Sequence, residues 1–258
     1  HRDLHSFPTR RSSDLQNFKS IKHLQLNCRR INLFIGEPNT GKSNILEALG
    51  FVCWCSIKNF HPNLNNYVRF ESMNNLFFDG LLDESIEIAI NGTIKQQYKI
   101  SYNGNQFSVA TSYPSSVIAT LIHKGEGIKR ANSSETGIYF YRYIANAPID
   151  DNIAQSLTPP HGNNLFMVAY SSKENRTLIS NLFSPYGLDM VFKPQERKIE
   201  IQKKEENIVI SYPFSMISDT LQRIIFYLLA IKSNKNAILV FEEPEAHAFP
   251  YYTKYLGE

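Results

Sequence analysis

Polar and apolar positions alternate most strictly between about residues 83 and 112. There "ESIEIAINGTIKQQYKISYNGNQFSVAT" is broken by Asn91-Gly92 and by Asn103-Gly104-Asn105. Period two interrupted by such turn residues predicts a three-stranded antiparallel meander. Residues 18–28, "FKSIKHLQLNC", alternate more loosely and predict a further strand. Two short runs, "INLFIG" at 31–36 and "AILVF" at 237–241, are apolar without alternation, the pattern of strands covered on both faces. Helical spacing predicts a helix over "KSNILEALGFVCWC", with Ile45, Leu46, Leu49, Val52 and Cys53 on its apolar side. A second helix, "SDTLQRIIFYLLAIKS", carries Leu221, Ile224, Ile225, Leu228 and Leu229 on one side and is capped by Ser218 or Asp219. "NNLFMVAYSSKENRTLISNLFSPYG" reads as helical up to Pro185 and Gly187. "IYFYRYI" reads as an aromatic strand, and "LDMVFKPQERKIEIQKKEENIVISYPF" as two or three strands, solvated because Glu interleaves with Lys.

Composition narrows this little. The 258 residues are 42% hydrophobic and 20% charged, ordinary for one large or two small globular domains. A net charge of +3 is too small to argue for nucleic acid or a membrane by itself. The three cysteines, Cys28, Cys53 and Cys55, read as reduced core thiols of a cytoplasmic protein, and their spacing offers no metal site. The longest apolar run, "IIFYLLAI", is too short to span a bilayer, so no membrane is expected. Residues 1–15, "HRDLHSFPTRRSSDL", match one reading frame of a common sequencing-library adapter. They are expected to be foreign to the fold and loosely attached.

The chemistry begins at residues 36–43, "GEPNTGKS", which match G-x-x-x-x-G-K-[ST] between a predicted strand and a predicted helix. Gly36 and Gly41 permit a loop tight enough for backbone N–H groups, those of Glu37, Pro38's neighbours, Asn39 and Thr40 included, to converge on phosphate oxygens. The following helix adds the positive end of its dipole. Lys42 supplies a cation for the β- and γ-phosphates, the Ser43 hydroxyl a ligand for Mg²⁺, and Asn44 continues the binding segment. At the other end of the chain the strand at 237–241 runs into Glu242 and Glu243. Carboxylates at the carboxyl end of a core strand sit where open α/β sheets bind ligands. Pro244 and Glu245 suit the first turn of a helix, whereas Glu242 and Glu243 have no such local use.

The order of these motifs carries a resemblance. "INLFIGEPNTGKSNILEAL", "SDTLQR" and "ILVFEEPEAHAFP", with a meander between the first two, resemble the ATP-binding-cassette ATPases of the SMC/RecF kind. They look closest to the OLD-like "AAA family ATPase" group of bacterial defence and toxin-like proteins. The resemblance implies an α/β fold: a phosphate-loop NTPase head like that of the cassette ATPases, with an antiparallel β lobe at about 83–112. A helical and β middle follows at about 113–212, then the signature helix and second core strand at 215–258. It implies ATP and Mg²⁺ as cofactors, Glu242 as the magnesium acid and Glu243 as the general base acting on water. It also implies a homodimer sandwiching ATP, in which Ser218 contacts the partner's γ-phosphate, and a nucleic-acid or nuclease partner or domain. Where the pattern has Asp for the magnesium, Glu242 stands here; where it has two glycines after the serine, Asp219 and Thr220 stand. Asn74 or Asn75 is the candidate for the inter-lobe glutamine, and His247 follows the catalytic acid without a required role. The family's next core strand, with its switch histidine, is expected beyond Glu258. The sheet is therefore expected to hold a gap between 31–35 and 237–241, and the 258 residues alone to be inactive. The alternative is a RecF-like repair factor that binds DNA and uses ATP as a switch.

Overall fold

The computed structural model describes residues 11–57, 63–91, 95–112, 115–130, 136–148, 150 and 155–246. The chain divides into two units, residues 1–138 and 139–258.

The first unit is built on a seven-stranded sheet in the order β2-β1-β3-β4-β5-β6-β7. Its strands are β1 (Arg11–Phe18), β2 (Ile21–Cys28), β3 (Ile86–Asn91), β4 (Gln96–Tyr102), β5 (Phe107–Ser112), β6 (Ser115–Leu121) and β7 (Gly127–Lys129). All neighbours are antiparallel. The expected meander is present as β3, β4 and β5, with every second residue buried along most of each strand. At the second of its turns the Asn103 side chain accepts the N–H groups of Asn105 and Gln106, an Asn-specific way to close the hairpin. The Asn-Gly of the first turn lies partly outside the described residues. Two strands on one side and two on the other extend the meander into a larger sheet. Helix α1 (Lys42–Ser56) lies against it, with Phe51, Val52, Trp54 and Cys55 buried.

Three expectations need correction here. Residues 11–15 are not loosely attached. They form the start of β1, which pairs with β2 on one side and β3 on the other, and Leu15 is fully buried. A strand in mid-sheet needs only backbone partners and an apolar residue on the core side, and Ser13 and Leu15 supply the small and the large member of that face. Residues 1–10 lie outside the described residues. Second, 31–36 is not a buried strand: Ile31, Leu33 and Ile35 are 74%, 79% and 90% exposed. A tight turn takes the chain out of the sheet after β2, with Asn32 accepting from the Arg29 N–H at 2.8 Å and donating to the Arg29 carbonyl at 2.9 Å. One of the two strands expected to flank a gap is therefore no strand. Third, the expected apolar side of α1 is inside only in its second half: Val52 and Cys53 are buried, and from Gly50 to Ser56 the helix is buried all round. Glu47, Ala48 and Phe51 are inside, whereas Ile45, Leu46 and Leu49 are only half-buried.

The second unit contains β8 (Ile138–Tyr141, entering from the first unit), α2 (Leu165–Ser171), α3 (Lys173–Phe183), β9 (Leu188–Lys193), β10 (Lys198–Glu205), β11 (Ile208–Pro213), α4 (Asp219–Ser233) and β12 (Ile238–Phe241). The long helical stretch is broken at Ser172, which leaves helical geometry and accepts the Asn175 N–H to cap α3. β9, β10 and β11 form an antiparallel three-stranded sheet, and β12 pairs with β8. The core gathers Tyr141, Phe166, Ile179, Ile201, Ile225 and Phe226. Each such side chain contributes roughly 1.5–3 kcal/mol when fully buried. Among the described residues, no helix is long and apolar enough to cross a membrane.

Candidate functional site

Residues 36–40 are exposed, and the loop ends at Gly41, which holds φ 87° as the residue before α1. A side chain there would be strained, so the second glycine of the motif is a backbone requirement. Asn39 also lies in the left-handed region, at φ 62°. Lys42 folds back over its own loop. Its ammonium donates to the Glu37 carbonyl and, at 3.2 Å, to the Thr40 hydroxyl, which itself donates to Glu37 O at 2.8 Å. A Cβ at Gly36 would lie 3.3 Å from Thr40 Oγ1, so this hydroxyl would have to shift by a few tenths of an ångström. The start of α1 has neither a side-chain cap nor an acidic residue in its first turn. Its leading N–H groups therefore face outward with a cation among them, a donor set suited to an anion. Asn44 is tied down instead, donating to Ser20 Oγ at 2.7 Å, which anchors the helix start to the β1–β2 turn. Pro38 is exposed beside Glu37, and Ser43 is half-buried in the first turn of α1.

One turn beyond Ser43, Glu47 is 1% exposed and held by two cations. Lys19, from the β1–β2 turn, pairs with Oε2, and Arg69 Nε pairs with Oε1 at 2.5 Å. Lys19 also donates to the Arg69 carbonyl at 2.6 Å. The pattern reading passed over this cluster. Its signal was available: Glu47 is the one charged residue after Lys42 in α1. A single acid inside an apolar run implies a buried partner.

Of the two inter-lobe candidates, Asn75 is committed to its own turn, accepting the N–H groups of Glu71 and Ser72. Asn74 Oδ1 is buried without a partner among the described residues. That leaves Asn74 as the one with acceptor capacity to spare.

In the second unit Glu242 follows β12 and is buried, while Glu243 is exposed. Glu243 holds φ 45°, a left-handed conformation that turns the chain sharply after the strand. Ala246 N–H closes this turn on the Glu243 carbonyl at 3.1 Å, and the residues that would continue a helix from Pro244 lie outside the described residues. His247 lies outside the described residues. The Glu242 backbone is fixed on both sides: its N–H reaches Tyr141 O at 3.2 Å, and its carbonyl accepts the Tyr227 hydroxyl at 2.8 Å. Its carboxylate accepts from Arg142 Nε. Burial raises the Tyr227 phenol well above its ordinary range, so it stays a donor throughout the physiological range.

Ser218 caps α4, its hydroxyl oxygen accepting the Leu221 N–H at 3.3 Å. Around the same helix start Arg223 pairs with Asp219 at 3.3 Å and lies over the Tyr143 ring, 4.7 Å from its centroid. Burial and the neighbouring Asp219 raise the Tyr143 phenol pKa.

Among the described residues no group of three or more His, Cys, Asp or Glu gathers to hold a metal. A divalent ion bound here would need ligands from a bound molecule, as Mg²⁺ commonly draws on one or two protein groups plus phosphate oxygens. A search of curated proteins finds no match. A sequence model of one family, described as an AAA domain, matches residues 14–243, most of the 258 residues and every candidate group from the loop to Glu243. The chain belongs to this AAA domain family, phosphate-loop ATPases related to the SMC and RecF type.

Proposed function

We propose that the chain binds ATP with Mg²⁺ through residues 36–43 and hydrolyses it, with the nucleotide closing a homodimer. What supports this most is the conformation of that loop: Gly41 left-handed, α1 open at its start, and Lys42 folded over its own backbone. In this reading the backbone N–H groups and Lys42 hold the phosphates, and Ser43 and Glu242 hold the metal. Bound Mg²⁺ would neutralise phosphate charge as the terminal phosphoryl group is transferred. In this reading Glu243, exposed at the turn after β12, accepts a proton from the attacking water. Ser218 can contact a partner's γ-phosphate only by turning its hydroxyl hydrogen outward, since the oxygen already caps α4. The OLD-like, nucleic-acid-directed defence role and a nuclease partner remain part of the proposal through the resemblance.

Calorimetric titration with ATP tests the core of it. Lys42→Ala should abolish binding, and an unchanged affinity would remove the loop from the role. The alternative, a DNA-binding switch, has one observation in its favour: Lys22, Arg29 and Arg30 are exposed on and just after the edge strand β2. Binding to duplex DNA that falls steeply with salt, and less steeply when these three are replaced by Ala, would support it.

A further inference from the structure

The carboxylate assigned above to magnesium is already engaged. Arg142, the residue after β8, donates from Nε to Glu242 Oε2, across 100 positions of sequence. The two side chains are only 17% and 6% exposed. Both backbones are pinned. Arg142 donates its N–H to Pro160 O at 3.0 Å, and its carbonyl meets His161 Nδ1 at 2.8 Å. The Glu242 main chain is held by Tyr141 and Tyr227. The guanidinium rests over the Phe140 ring, 5.2 Å from its centroid, a second seat that does not involve the carboxylate. What can move is therefore the side-chain pair and not the strands that carry it.

We propose that Arg142 is a displaceable counter-ion: it holds the Glu242 carboxylate in place when no divalent cation is bound, and it is pushed off the carboxylate when nucleotide brings the metal. This rests on the reading of Glu242 as a magnesium ligand. A buried carboxylate without a partner is strongly unfavourable, so a ligand waiting for its metal needs a substitute cation. A guanidinium and a divalent ion cannot both sit against one carboxylate oxygen, because their charges repel at contact distance. Arg142 thereby sets the metal affinity of the site. The ion enters only with the extra ligands that a phosphate chain provides, which ties metal capture to nucleotide. At contact distance a guanidinium repels a competing cation strongly enough to change its affinity about tenfold or more.

The test is Mn²⁺ binding to the whole chain, read by electron paramagnetic resonance with a non-hydrolysable ATP analogue present. Arg142→Gln should tighten Mn²⁺ at least about tenfold, with Arg142→Lys between it and the parent. Glu242→Gln should lose the Mn²⁺ site. If Glu242→Gln loses it while Arg142→Gln leaves the affinity unchanged or weaker, the counter-ion role is overturned and the metal reading stands. If Glu242→Gln binds Mn²⁺ like the parent, the metal reading itself fails. Should Arg142→Gln not fold, the parent decides. The Arg142 Nε–H, followed by ¹⁵N NMR, should exchange with solvent faster with Mg²⁺ and the analogue than with the analogue and a chelator. Equal rates would overturn the proposal.

Discussion

Two lysines meet the two ends of α1, and they could hardly be placed more differently. Lys42 is the first residue of the uncapped helix, half-buried, its ammonium folded back onto the Glu37 carbonyl and the Thr40 hydroxyl of its own loop. A cation there opposes the helix dipole and fills no gap in the core. Lys129 comes from β7 to the other end. It is 3% exposed, donates to Trp54 O at 2.6 Å and to Ile57 O, and lies 5.2 Å from the Trp54 ring centroid. The last turn of α1 has no basic residue of its own. Lys129 thus satisfies carbonyls that the helix leaves open and sits where the dipole favours a cation. A lysine that stabilises the fold has been put at the end where physics rewards it. The other stands where only a bound anion would.

The largest effect should follow from removing the stabilising one. Lys129→Met keeps the volume but takes the lysine donor from one buried and one part-buried carbonyl. It should lower the unfolding free energy by about 3 kcal/mol in denaturant titrations, with ATP affinity of the folded protein unchanged. Burial pulls the Lys129 pKa down to about 8, against its ordinary 10.5. Between those values the unfolded chain binds the proton and the folded one does not, so stability should rise with pH. The penalty is complete below pH 8 and relieved by 10.5, amounting to up to about 3 kcal/mol. The neutral amine still has two N–H groups for two carbonyls. Denaturation midpoints across this window should climb in the parent and climb less in Lys129→Met. Parallel profiles would mean that Lys129 titrates as an exposed lysine and that the contrast with Lys42 is false.

Next in size is the buried acid between the two ends. Glu47→Gln leaves Lys19 and Arg69 without their counter-charge. Because Arg69 is 56% exposed and can turn to water, the loss should be about 2 kcal/mol, below the range for a fully enclosed pair. A loss under about 0.5 kcal/mol would show the cluster to be as weak as a surface pair.

Much of this was legible in the sequence, and what was not has a common cause. The loop motif, the meander, α4 with its Ser218 cap and the strand before Glu242 are local patterns, set by turn residues, capping and periodicity within a dozen positions. The exposed 31–35 segment fails locally for a different reason. Apolar composition says that a strand could be buried there, but not that a neighbouring strand is present to pair with it, and the Arg29–Asn32 turn redirects the chain. Arg142 on Glu242 and Lys129 on Trp54 join residues 100 and 75 positions apart. No periodicity reports such pairs. The available hint is chemical: Arg142 is the one charged residue of an aromatic run, and Glu47 the one acid of α1. Such isolated charges inside apolar runs demand partners that only the fold can name.

The smallest effect is the most discriminating. Lys42→Ala should change stability without nucleotide by no more than about 0.5 kcal/mol. The variant loses two exposed hydrogen bonds to its own loop, each contributing about 0.5–1 kcal/mol. Against that, it removes a cation from the positive end of a helix, about 0.3–1 kcal/mol, and introduces the best helix former. These terms nearly cancel. ATP should then separate the proteins. At a hundred times its dissociation constant it should stabilise the parent by about 2.7 kcal/mol and leave Lys42→Ala unmoved. A loss above about 2 kcal/mol without nucleotide would place Lys42 beside Lys129 as a structural residue. Missing ATP binding in the variant would then reflect a damaged loop and not a missing contact. A near-zero change combined with lost ATP stabilisation would mean that this lysine is kept at the unfavourable end of the helix for its ligand alone.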